Sequence, residues 1–146
     1  MTAALRSTSD VDILRSAIVL AMERLCFASP EAFLEQQPPG VALEASVAFH
    51  GPSSGTVGVA VPERAVRGFI EALLLPDARA DRITPDDFVA ELANIVCGNA
   101  VPRIFGRNAV HVLSPPQPGR PRGPAIAIAV VELTGGWVAA TLHRDA

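Results

Sequence analysis

The sequence predicts an α+β chain, an antiparallel sheet with long helices packed on it. Three observations carry that reading. Apolar residues recur at helical spacing in two long stretches, Val11 to Cys26 and Asp87 to Gly98. Strand-like alternation appears in pairs joined by short Gly-containing turns, around Gly51–Gly55 and Thr134-Gly135-Gly136. Short links between successive strands imply antiparallel pairing, since parallel neighbours need a long crossover.

The elements follow in order. Residues 1–8 read as a loose tail. Ser9 or Asp10 caps the first helix, whose apolar positions Ile13, Leu14, Ala17, Ile18, Ala21, Met22 and Leu25 share one face. Ser29-Pro30-Glu31 reads as the start of a short helical turn, and Gln36-Gln37-Pro38-Pro39-Gly40 as a breaker. Leu43–His50 alternates as a half-buried strand, and Thr56–Val61 returns as its hairpin partner. Pro62 opens a helix that should run to about Leu75, followed by a polar connector, Pro76–Arg82. Thr84-Pro85-Asp86-Asp87 is a strong helix start, with a capping hydroxyl, a first-turn proline and two carboxylates at the positive end of the helix dipole. That helix should run through Gly98, with Pro102 bending or ending it. Ala109–Leu113, Ala125–Val131 and Trp137–Leu142 read as strands, and the Pro/Gly/Arg stretch Ser114–Pro124 as a stiff loop rather than a polyproline ligand. The order suggests a loose duplication of hairpin-plus-helix units within one domain, 1–146.

Composition narrows the chemistry. With 146 residues, 49% of them hydrophobic, the chain can bury a real core. All 12 basic residues are Arg and none is Lys, which excludes a Walker-type phosphate loop, a Schiff-base enzyme and a Lys general base. A net charge of -3 with scattered Arg speaks against a nucleic-acid partner. Cys26 and Cys97 lie in apolar segments and read as buried free thiols in a reducing cytosol. The N-terminus has no signal-peptide layout, and the apolar run Ala17–Met22 is far too short to span a membrane, so the expected setting is the cytoplasm. His50, His111 and His143 show no ligand spacing, and no metal site is expected from them.

The helix after Thr84 holds the residues of interest. At about 100° per residue, Phe88, Val89, Leu92, Ile95 and Val96 fall in one apolar arc. Asp87, Glu91, Asn94 and Gly98 fall in a separate arc about 60° wide. A carboxylate and a carboxamide therefore stand side by side at i and i+3, with Gly98 clearing space beside them. A Glu and an Asn on a helix surface are most often just a solvated face. Asn99 falls back in the core arc and reads as a structural residue bonding the backbone near the helix end.

The string Glu91-Leu92-Ala93-Asn94-Ile95-Val96-Cys97-Gly98-Asn99-Ala100 closely resembles the active helix of the bacterial chemotaxis phosphatases CheX, CheC and FliY, which share an E-x-x-N motif followed by Gly-Asn. The resemblance covers residues 45–142 best and implies a CheC-like fold. The first helix offers Glu23-Arg24-Leu25-Cys26, with Cys where a second motif would need Asn, so a single site is expected, as in CheX-like members. The activity implied is phospho-aspartyl hydrolysis on a CheY-like response-regulator receiver. In that role Asn94 would orient the attacking water and Glu91 would pair with the receiver's Lys, with Asp87 and Gly98 at the contact surface. No cofactor of its own is implied, because the receiver supplies Mg²⁺. Two alternatives share the fold: a noncatalytic receiver-binding module and a structural flagellar-switch component. Such domains often dimerise through sheet edges, and Ala125–Leu142 is the segment expected to pair with a second copy.

Overall fold

The computed structural model describes residues 9–73 and 82–145. The N-terminal tail and nearly all of the Pro76–Arg82 connector lie outside them, and the helix expected to reach about Leu75 ends at Glu71.

Helix α1, Asp10–Cys26, begins at Ser9, whose side chain accepts the Asp12 N–H at 3.1 Å. It ends at Phe27 in a left-handed conformation, φ 55°, with the Phe27 N–H donating to Glu23 O. The buried residues are the face read from the periodicity, Ile13, Leu14, Ala17, Ile18, Ala21 and Met22, with Cys26 added.

Seven strands form one antiparallel sheet: β1 Pro30–Leu34, β2 Ala42–His50, β3 Gly55–Pro62, β4 Val112–Leu113, β5 Gln117–Pro118, β6 Ala127–Leu133 and β7 Gly136–Arg144. The order is β1-β6-β7-β3-β2-β4, with β5 also pairing with β2. β2 and β3 form the expected hairpin, in register from Ala42↔Pro62 to Phe49↔Gly55. β6 and β7 turn through Thr134-Gly135, where Gly135 takes φ +102°, a conformation open to Gly at no steric cost.

Helices α2, Glu63–Glu71, and α3, Pro85–Phe105, complete the described elements. α1 packs over β6 and β7 and beside α3, which lies over β2 and β3, while α2 packs on α3. The core sits between sheet and helices: Val47, Phe49, Val57, Val61, Val131, Val138 and Leu142 on the sheet side meet Leu14, Ile18, Met22, Leu92 and Val96. α3 is long and apolar enough to cross a membrane by length and hydropathy alone. Its apolar arc instead belongs to this core. The sheet's other face carries a strap. Arg120 Nε bonds Glu44 Oε2 at 3.0 Å, the Gly119 N–H donates to Glu44 O at 2.9 Å, and Pro121 seats over Gly58. Ser114–Pro124 is thus a strap clipped to β2 and β3.

Several expectations are corrected. Ser29-Pro30-Glu31 does not start a helical turn; from Pro30 the chain is strand β1, paired with β6 through Ala32↔Glu132, Phe33↔Val131 and Leu34↔Val130. Pro102 does not end its helix, which continues to Phe105. The strand expected over Ala109–Leu113 shrinks to Val112–Leu113. β6 and β7 are interior strands, so Ala125–Leu142 as a whole is no sheet edge; the edges are β1 on one side and β4 and β5 on the other.

Candidate functional site

α3 is fixed at both ends. At its start Thr84 and Asp87 form a reciprocal capping box: Thr84 Oγ1 accepts the Asp87 N–H at 3.1 Å, and Asp87 Oδ2 accepts the Thr84 N–H at 3.3 Å. At its end Phe105 packs against Phe49 and His111, with ring centroids 5.3 and 5.4 Å apart, and the Arg144 guanidinium lies 5.3 Å over the Phe105 ring. Arg103 Nη1 also donates to Ser16 Oγ on α1 at 3.1 Å. These contacts hold the last turn in place although Pro102 cannot donate to the carbonyl four residues back.

Between the anchors the helix buries Phe88, Val89, Leu92, Ala93, Val96, Cys97, Ala100 and Val101. Ile95, expected in the core arc, is only partly buried. Asp87, Glu91, Asn94, Gly98 and Pro102 form one exposed ridge. Glu91 and Asn94 therefore sit about 4.5 Å apart along the axis on one face, with open space above them. The helix cap and the aromatic anchor fix the backbone under both side chains.

Asp87 is exposed, but one of its carboxylate oxygens is engaged in the capping box. Asn99 differs from its reading: its Oδ1 is buried and has no hydrogen-bond partner, so the backbone contact expected of that oxygen is not made. Cys97 is fully buried, its Sγ 4.0 Å from Val47 O. Burial pushes its thiol up to about 12 and that of Cys26 up to about 11, which makes both inert as nucleophiles at neutral pH. Among the described residues no group of three His, Cys, Asp or Glu side chains is placed to hold a metal ion.

Reading the sequence alone missed the wall beside the ridge. Ala109, His111 and Leu113 approach α3 next to Gly98, Val101 and Pro102. Their period of two was the available signal, but nothing local says which helix that side faces.

The family model of the chemotaxis phosphatase CheX matches residues 43–130. The chain belongs to that family. The match takes in β2, β3, α2 and the whole of α3, including Glu91, Asn94 and Gly98. Solved structures agree on the fold. A chemotaxis protein CheX from Vibrio vulnificus is 13% identical with a TM-score of 0.68, over 94% of this chain and 97% of that one. CheX from Desulfovibrio desulfuricans is 14% identical with a TM-score of 0.65, over 93% and 99%. A CheX–CheY–BeF3–Mg²⁺ complex from Borrelia burgdorferi matches with 13% identity and a TM-score of 0.65, over 94% and 99%. No curated protein matches the sequence significantly. Family membership supports a general CheX/CheC-type phosphatase role within chemotaxis and two-component signalling.

Proposed function

We propose that this protein hydrolyses the phospho-aspartate of a CheY-like receiver domain, using the exposed ridge of α3. The observation that carries the reading is the pairing of Glu91 and Asn94 on one solvent-facing turn of an anchored helix, inside the matched region. The Borrelia relative was solved with CheY, BeF3 and Mg²⁺, which supports a receiver as the partner and the receiver as the source of the metal.

The chemistry suits these residues. An acyl phosphate has a good leaving group, so the barrier falls mainly through positioning and charge stabilisation. A carboxamide both donates and accepts without changing protonation, so Asn94 can hold one water in line with the phosphorus. Ordering that water recovers part of the entropic barrier. Glu91 would pair with a cation on the receiver. Gly98 leaves room for close approach, and Asp87 retains one carboxylate oxygen for contact. A catalyst that borrows its cation and metal from the substrate needs no Lys, and this chain has none.

The test mixes the protein with a phosphorylated receiver and Mg²⁺ and follows phosphate release. Acceleration over the receiver's own decay is expected. Asn94→Ala should cut it by about tenfold to a hundredfold, equivalent to about 1.4–2.7 kcal/mol. An unchanged decay rate with wild-type protein would leave a noncatalytic receiver binder. Equal acceleration by Asn94→Ala would remove Asn94 from the chemistry.

A further inference from the structure

The ridge runs past Gly98 into a pocket of about 170 Å³. Gly98, Val101 and Pro102 form its helix wall; Ala109, His111 and Leu113 form the facing wall. Val110 and Val112, between them, do not line it. Four of the six lining residues, Val101, Pro102, Ala109 and Leu113, carry apolar side chains. The one polar side chain is His111: its Nε2 accepts the Ser53 N–H at 3.4 Å and its ring packs on Phe49 and Phe105, while its buried Nδ1 has no hydrogen-bond partner.

Two residues in the helix wall are poor choices for a helix. Gly98 is not in a positive-φ conformation, and a Cβ built on it would meet only Leu113 Cδ1, at 3.9 Å, an ordinary contact. Nothing within the described fold requires glycine there, yet a mid-helix glycine lowers stability relative to alanine. Pro102, one turn on, is exposed and has no N–H to give the Gly98 carbonyl. That carbonyl therefore lacks its i+4 donor, and Gly98 is itself exposed. Both residues wall the same pocket, and both have low helix propensity.

We infer that this pocket is the receiver's specificity subsite. It takes one apolar side chain from the receiver surface beside the phosphorylated carboxylate. The inference rests on the ridge facing a receiver. Gly98 lies about 6 Å along the axis from Asn94, so a partner large enough to cover Asn94 also covers the pocket mouth. An anchor side chain seated in a pocket and ringed by contacts that exclude water is the arrangement that concentrates binding energy at protein interfaces. The pocket would set which receiver is held, and the Glu91–Asn94 pair what happens to it.

Two variants of the full chain test this. Ala109→Leu fills the pocket from the wall opposite the helix. Gly98→Ala adds one methyl group at its mouth, which the 3.9 Å contact permits. Binding to a receiver loaded with beryllofluoride and Mg²⁺ is measured by calorimetry, the phosphate-release kinetics give KM and kcat, and a thermal melt reports folding. Both variants should weaken binding, Ala109→Leu by about tenfold or more, with the loss falling on KM more than on kcat. Gly98→Ala should melt a few degrees higher than wild type, since it removes a helix defect. Unchanged affinity in a variant that melts at or above wild type overturns the subsite; should Ala109→Leu fail to fold, Gly98→Ala decides. Wild type that binds the receiver without speeding hydrolysis sinks the phosphatase reading alone, and the variants' affinities still decide the pocket. Wild type that does not bind the receiver overturns both.

Discussion

Raising the pH through the range 9–11 should weaken this fold through two thiols alone. Cys97 is fully buried and Cys26 is 6% exposed, and burial pushes their thiols up to about 12 and about 11 from an ordinary 9.0. In the unfolded chain both ionise near the ordinary value. Above pH 9 the unfolded state therefore holds fewer protons than the folded state, and stability falls as pH rises. The contribution is intact below pH 9. It is lost from pH 9 to about 11 for Cys26 and from pH 9 to about 12 for Cys97. At pH 10 each thiol costs about 1.4 kcal/mol, one pH unit's worth, so the pair costs roughly 2.8 kcal/mol. That is a large part of a typical stability of about 5–15 kcal/mol. The chain isolates the effect, because it has no Lys and no Tyr, and Arg titrates above about 12.

The assay is urea unfolding under a reducing agent, followed by the fluorescence of Trp137, the single tryptophan and a buried one. The midpoint should drop by roughly 1–2 M between pH 8 and pH 10, with an unchanged m-value. The Cys26→Ala/Cys97→Ala double variant should be less stable at pH 8 yet nearly flat over the same interval. Equal pH slopes in wild type and double variant would refute the reasoning.

Three further outcomes are expected. Thr84→Ala removes the capping box under the ridge and should cost about 1 kcal/mol, seen as a lower melting temperature. Gly58→Ala would place a Cβ 2.6 Å from Pro121 Cγ and 2.9 Å from Thr141 Oγ1, forcing the strap off the sheet. It should cost about 1–3 kcal/mol and speed tryptic cleavage after Arg122; unchanged cleavage would show that the strap does not depend on that notch. Asn94→Ala should gain up to about 0.7 kcal/mol of helix stability while losing phosphatase activity, and a lower melting temperature would instead assign Asn94 to the fold.

Much of the architecture is legible in the sequence. Ile13, Leu14, Ala17 and Ile18 advertise one helix face, and the Gly-containing turns advertise both hairpins, because periodicity and turn chemistry are local. β1 is not legible. Ser29-Pro30-Glu31 carries a helix-start pattern, but the segment gains its backbone hydrogen bonds from β6, about a hundred residues away. Pro102 misleads for the opposite reason: its local rule is sound, but Phe105 locked against Phe49 and His111 holds the last turn regardless. Likewise the apolar strands β6 and β7 look ready to pair with another chain until the sheet order puts them inside.

The sequence by itself determined which side chains of α3 stand together, because 3.6 residues per turn sets the angle between Glu91, Asn94 and Gly98 whatever surrounds them. Only the tertiary structure decided that the helix continues through Pro102 and that Ala109, His111 and Leu113 close a pocket beside Gly98. The physical reason is range: a helix's angular pattern is encoded within one turn, whereas a pocket is the gap left between segments that only sheet order and core packing bring together.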